Sequence, residues 1–94
     1  MNYIEKLAKR IREETPADAL PSGDVEALFL LYALLAEVKG ESIELEDVHD
    51  AWSTWMTLRS MPHESVVPFR ELSATTQDED RPFKEAILRA LASF

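Results

Sequence analysis

Two histidines, His49 and His63, are the side chains best suited to bind a divalent metal together with nearby carboxylates. Such a site needs several ligands at a fixed spacing, and the chain has neither an HExxH motif nor any cysteine. We therefore expect no metal site and no cofactor. His49 lies on a predicted helix and is expected to be a surface or hydrogen-bonded structural histidine, whereas His63 is a candidate ligand contact.

Covalent or acid–base catalysis has no recognisable motif in this sequence. There is no G-x-S-x-G nucleophile elbow, and two glycines in total cannot build a phosphate-binding loop. Eighteen acidic residues are present, but a chain of 94 residues leaves little room for a cleft between paired carboxylates. We expect no catalytic residue and predict that the protein is not an enzyme.

Two tryptophans and one arginine are the remaining candidates for binding. Trp52 and Trp55 lie three residues apart on a predicted helix and share a face, so core packing is the simplest role for both. We expect Trp52 in the core, whereas Trp55 has the alternative of lining a groove. Phe69 is also expected in the core. Arg81, next to Asp80, either forms an ion pair at a helix start or contacts a small anionic ligand.

Helical patterns must position these residues. Apolar residues recur at three and four positions from Tyr3, with Asn2 as the cap, and a helix apolar on most sides follows from about 24 to 39, ending at Gly40. A third helix is predicted from about 46 to 60, and a last one begins near Asp80 with Pro82 in its first turn. The fold class is therefore an all-α small single domain of about four helices. An irregular segment at 63–72, which contains Pro68, is expected to pack across its core.

Composition limits the partners and the compartment. The net charge of −8 disfavours direct binding to nucleic acid, which requires cationic side chains. The first residues lack the apolar core of a signal peptide, and the longest apolar run, at 27–36, is too short to span a membrane. We expect a cytoplasmic protein without membrane contact.

Eight residues in the second half resemble the RyR domain, the helical module repeated in ryanodine receptors. The pattern is H-x-x-W, then H-x-x-L-x-P-[YF]-x-x-L, then D-R. The matching residues are His49, Trp52, His63, Pro68, Phe69, Leu72, Asp80 and Arg81. The resemblance covers about 48–87 and divides the chain into an N-terminal helical pair (1–40) and an RyR-like portion (46–94). The chain is also similar to small stand-alone proteins of unassigned function from actinobacteria and their phages.

The resemblance implies a non-catalytic recognition module, in signalling or in phage–host conflict. It would bind a small nucleotide-type ligand or a protein partner. A ligand with a planar ring and an anionic group is expected where Trp55, His63 and Arg81 converge. Two alternatives remain open. One is an interaction or oligomerisation module, including a homodimer, that uses the helix face 28–35; the other is an acidic decoy of a nucleic-acid-binding surface.

Overall fold

The protein contains five α-helices, three single-turn 3₁₀ helices and no strand, in a computed structural model that describes all 94 residues. The α-helices are α1 (Tyr3–Glu14), α2 (Glu26–Lys39), α3 (Leu45–Leu58), α4 (Ala74–Asp78) and α5 (Arg81–Ser93). The 3₁₀ turns are Ala17–Ala19, Gly40–Ser42 and Phe69–Glu71. Because α4 is a single short turn, the prediction of a small all-α domain with four main helices is confirmed.

Helix α1 begins with the predicted cap. The Asn2 side chain accepts a hydrogen bond from the Glu5 N–H at 2.8 Å, and the Glu5 carboxylate accepts one from the Asn2 N–H at 2.9 Å. This reciprocal pair satisfies two backbone donors that a helix start leaves free. The apolar face of α1 is buried through Leu7, Ala8 and Ile11.

Helix α2 is the central element, as its wide apolar surface predicts. Five of its residues are buried: Leu28, Phe29, Tyr32, Ala33 and Ala36. Its start lies slightly later than expected, with Val25 at the cap position and the Asp24 carboxylate accepting from the Glu26 N–H at 3.0 Å. Gly40 ends the helix at a φ of 56°, a left-handed conformation that glycine adopts without steric cost.

The two tryptophans of α3 differ in burial, contrary to the shared core role that the sequence predicts. Trp55 is 1% exposed and belongs to the core, whereas Trp52 is half-buried at its edge. Two side chains separated by three positions on a helix point roughly 60° apart. One of them can therefore be buried while the other lies at the edge of the core. Trp55 therefore takes the core role that was the simplest one expected of it, rather than the alternative of lining a groove. Trp52, expected in the core, is only partly buried against it.

The segment between α3 and α5 is irregular, as predicted. Val66 packs against the core from this segment, and Phe69 is half-buried in the 3₁₀ turn that follows Pro68. Ser73 then caps α4 by accepting a hydrogen bond from the Thr76 N–H at 3.2 Å. Asp80 occupies the cap position of α5, so α4 and α5 meet at an acidic corner beside α3.

One hydrophobic core joins both halves of the chain. It contains 17 buried residues and draws on α1, α2, α3 and α5. Helix α1 packs against both α2 and α5, so residues 1–40 do not form a separate unit. No helix has the length and apolar character needed to cross a membrane.

Candidate functional site

A cleft of about 220 Å³ opens where α3, the irregular segment and the α4–α5 corner meet. The loop between α1 and α2 closes its remaining side. The lining residues are Ala19, Pro21, His49, Trp52, His63, Ser65, Thr76, Glu79, Asp80 and Phe83. They come from four separate parts of the sequence, so the cleft exists only when the domain is folded.

His49 forms the buried side of this cleft. The residue is 3% exposed, and its Nε2 lies 2.7 Å from the carbonyl oxygen of Val67. Because a carbonyl can only accept, Nε2 carries the proton and donates it, which fixes the tautomer of a neutral ring. The expectation of a hydrogen-bonded structural histidine is confirmed for this nitrogen. Nδ1 is left facing Asp80 Oδ2 at 3.9 Å, beyond hydrogen-bond length.

Asp80 places a poorly solvated carboxylate at the cleft. Its side chain is 14% exposed, and its carboxylate oxygens accept no hydrogen bond from the protein. Burial raises the pKa of Asp80 to about 6; His49 opposes this rise, and the neighbouring charge of Glu79 adds to it. An ionised carboxylate is normally hydrogen-bonded when it is buried, so Asp80 is the least satisfied polar group lining the cleft.

Tyr32 adds a second unsatisfied group behind the cleft. Its hydroxyl is buried without a hydrogen-bond partner, and its ring packs 5.4 Å from the ring of Phe83, which lines the cleft. Burial raises the pKa of Tyr32, and the charge of Asp80 raises it further. The hydroxyl therefore lies within electrostatic reach of the carboxylate.

Trp52 and His63 form the aromatic wall of the cleft. Their rings are perpendicular with centroids 5.2 Å apart, and Trp52 also stacks on His49 at 5.8 Å. His63 is exposed, and its Nδ1 accepts a hydrogen bond from the Ser65 N–H at 3.0 Å. An exposed imidazole on a short turn can move without disturbing the core.

The three residues predicted to converge on a ligand do not all reach this cleft. His63 lines it, but Trp55 lies in the core with the Arg59 guanidinium 4.1 Å from its ring centroid. Arg81 is exposed, and its Nε donates to Asp78 Oδ1 at 2.7 Å. Arg81 therefore forms the surface ion pair that was one of its two expected roles.

Sequence reasoning missed Asp80, Trp52 and Tyr32 as groups at or behind the cleft. A tyrosine inside the otherwise apolar run of α2 was a usable signal, because a buried hydroxyl normally needs a partner. Asp80 had no comparable signal, since an acid at a helix start is ordinary. Phe69, expected in the core, lies instead half-buried with its ring 6.0 Å from that of His49.

The protein has no group of three His, Cys, Asp or Glu side chains placed to hold a metal ion. Acidic residues occur on all five α-helices rather than on a single element.

Comparison with known families shows where the chain belongs. The family model of a domain of unknown function (DUF7701) matches residues 2–92, so the chain is a member of that family. No curated protein and no solved structure is significantly similar to it.

The resemblance to the RyR domain is wrong, because the family that spans nearly the whole chain is a different one. Several residues of the apparent motif serve this fold instead. His49 binds a backbone carbonyl, Pro68 precedes a 3₁₀ turn, and Asp80 occupies the first position before α5 without a side-chain capping bond. Short spacings between such framework residues recur by chance in small helical domains.

Proposed function

We propose that this member of the DUF7701 family is a non-catalytic recognition module that binds a small ligand, or one side chain of a protein partner, in the cleft. The observation that carries the proposal is the Asp80 carboxylate, which lines the cleft, is 14% exposed and accepts no hydrogen bond from the protein. A carboxylate with so little exposure is normally hydrogen-bonded. A molecule bound in the cleft would supply the missing donors.

A binding role fits the cleft better than a catalytic one. A nucleophile needs a base within hydrogen-bond reach, and the cleft hydroxyls have other arrangements. Thr76 Oγ1 accepts from the Ser73 hydroxyl at 3.0 Å, and the Nε2 of His49 donates to a backbone carbonyl. The Nδ1 of His63 is occupied by a backbone N–H. Ser53 Oγ lies 3.3 Å from His49 Nε2, but that nitrogen donates to the backbone carbonyl and so has no lone pair with which to activate a hydroxyl. None of these contacts pairs a hydroxyl with a free base.

The charges that line the cleft disfavour the expected nucleotide-type ligand. Two carboxylates, Glu79 and Asp80, line it, and no lysine or arginine does. A phosphate would meet like charges without a cationic partner, which costs binding free energy. The cleft is therefore least suited to binding an anionic ligand.

A thermal-shift screen of neutral, cationic and anionic metabolites tests the proposal. Each compound that raises the melting temperature is retested on His63→Ala and Trp52→Leu, with Tyr3→Leu as the control, because Tyr3 is 69% exposed and far from the cleft. Binding in the cleft should weaken in the first two variants and persist in the control. Hits that bind all four proteins equally, or no hits at all, would contradict a ligand site in this cleft.

A second candidate function is protein interaction through the α2–α3 surface, formed by Leu31, Leu34, Leu35, Val38 and Ala51. Leu34 is 53% exposed and Val38 73% exposed, which is unusual for adjacent turns of one helix. The expected face at 28–35 is shifted, because Leu28 itself is buried. Asp47 and Asp50 border the surface, so two copies would bring like charges together and a basic partner fits better than a homodimer.

Sedimentation of three proteins tests this second candidate. If the α2–α3 surface self-associates, the wild type is a dimer, Val38→Ser is a monomer, and the control Leu58→Ser stays a dimer, because Leu58 is equally exposed elsewhere. A monomeric wild type rules out the homodimer. The wide distribution of acids over all helices supports an ordinary solvated surface rather than a decoy of nucleic acid.

A further inference from the structure

We infer that the cleft binds an organic cation, a guanidinium or alkylammonium group, held by the carboxylates of Asp80 and Glu79 and by Nδ1 of His49. This inference rests on the proposed function and names the chemical class of its ligand. The group would come either from a free small molecule or from an arginine or lysine side chain of a partner.

Both charged groups that line the cleft are hydrogen-bond acceptors. Ionised Asp80 and Glu79 can only accept, and neutral His49 presents an acceptor lone pair at Nδ1 because its proton is donated from Nε2 to Val67. The donors in the lining are uncharged hydroxyl and ring N–H groups, and no lysine or arginine lines the cleft. A ligand that pairs with both carboxylates must therefore bring positive charge and several N–H donors, as guanidinium and ammonium groups do.

His49 does not already fulfil the role of that cation. Even when protonated, its Nδ1 stands 3.9 Å from Asp80 Oδ2, whereas charge-assisted N–H···O bonds are about 2.7–2.9 Å long. The Val67 carbonyl holds the ring through Nε2 and keeps it from approaching the carboxylate. Asp80 therefore retains its unused acceptor positions on the side of the cleft.

Tyr32 lies behind the cleft without lining it, and its environment favours neutralisation of Asp80. Its hydroxyl is fully buried and unpaired, and the Asp80 charge acts on it. A cation that neutralises Asp80 would remove an unfavourable charge beside this hydroxyl. It would also gain the aromatic wall of Trp52, since cations are attracted to indole rings.

Protonation of Asp80 gives the inference a distinct pH signature. Burial holds the pKa of Asp80 near 6, and the charged or titratable groups around it are His49, His63, Glu79 and Tyr32. At lower pH the carboxylate is neutral and no longer attracts a cation. Cation affinity should therefore rise as the pH increases through about 6, whereas binding of an anion would fall.

Calorimetric titration of the full chain with agmatine tests the inference, because agmatine carries a guanidinium at one end and an ammonium at the other. Asp80→Asn removes the central carboxylate, and Glu37→Gln is the charge-matched control, since Glu37 is exposed on α2 and lines neither the cleft nor the α2–α3 surface. We expect agmatine binding to weaken about tenfold or more in Asp80→Asn, as for loss of a charge-assisted bond, and to stay within about twofold in Glu37→Gln. Equal weakening in both variants would reduce the effect to net charge and would overturn the inference.

The source of the cation is distinguished by a second titration. Arginine blocked at both ends as its N-acetyl methylamide mimics a side chain within a peptide. Binding of blocked arginine at least as tight as that of agmatine identifies a partner's side chain, whereas binding of agmatine alone identifies a small molecule. In either case, the affinity for the ligand that binds must fall in Asp80→Asn as it does for agmatine.

Inorganic phosphate and adenosine monophosphate serve as anionic probes in the same assay. If either binds in a Trp52-dependent way while agmatine does not, the cationic ligand is wrong but the cleft remains a binding site. Absence of agmatine and blocked-arginine binding, with unchanged NMR signals of Trp52 and His63, would overturn the cation inference. The metabolite screen then decides the proposed function separately.

Discussion

Asp80→Asn should make the stability of the domain less dependent on pH. The folded protein raises the pKa of this carboxyl from 3.8 to about 6, chiefly through burial. The folded state therefore binds the Asp80 proton more tightly than the unfolded state does. The corresponding stability is fully present below about pH 4 and is lost as the pH rises through about 6.

The size of this effect follows from the pKa difference. A rise from 3.8 to about 6 is worth at most ~3 kcal/mol, at about 1.4 kcal/mol per unit. The Asp80 side chain remains 14% exposed at an open cleft, so solvent screening lowers the expected contribution to ~1–2 kcal/mol. Removing the ionised carboxylate should therefore make Asp80→Asn more stable than the wild type at about pH 8, and close to it at about pH 4.

Urea unfolding at several pH values measures this difference directly. The free energy of unfolding of wild type, Asp80→Asn and the control Asp50→Asn is compared between about pH 4 and pH 8. The difference between wild type and Asp80→Asn should change by ~1–2 kcal/mol across this range, with most of the change between about pH 4 and pH 6. A difference that is constant with pH, or a variant that is less stable at every pH, would refute the assignment of Asp80 as a strained buried acid.

Three further outcomes test the fold and the charge of the molecule. Trp55→Ala should cost about 3–5 kcal/mol in urea unfolding because it empties the core, whereas Trp52→Ala should cost clearly less; equal losses would contradict their different burial. EDTA should leave the melting temperature unchanged, since no three metal-ligating side chains cluster, and a large drop would reveal a metal site. Duplex DNA should bind only weakly at physiological salt because the chain carries a net charge of −8, and tight binding in a gel-shift assay would refute that interpretation.

Local signals in the sequence were sufficient for most of the helices. The cap at Asn2, the glycine stop at Gly40, the serine cap at Ser73 and the start of α5 near Asp80 all depend on neighbouring residues, and the structure has each of them. The wide apolar surface of α2 likewise predicted its central position. Such features are encoded within a few residues and need no knowledge of the tertiary contacts.

The remaining features of the fold and of the cleft depend on contacts between residues that are distant in the sequence. Which tryptophan is buried depended on how α3 rotates against α2 and α5, and helical spacing alone leaves that rotation undetermined. The motif-based interpretation failed for the same reason, because short spacings do not reveal whether a histidine binds a ligand or a backbone carbonyl. Only folding brings Val67 to His49 and Asp80 beside both His49 and Tyr32.

The sequence by itself determined an acidic, all-α domain with no metal or nucleophile motif, because composition and local periodicity carry that information. The cleft was decided by tertiary structure alone, since its lining comes from four separate segments. The raised pKa of Asp80 likewise depends on the tertiary structure. It arises from burial, and burial is a property of the packed molecule rather than of an aspartate at a helix start.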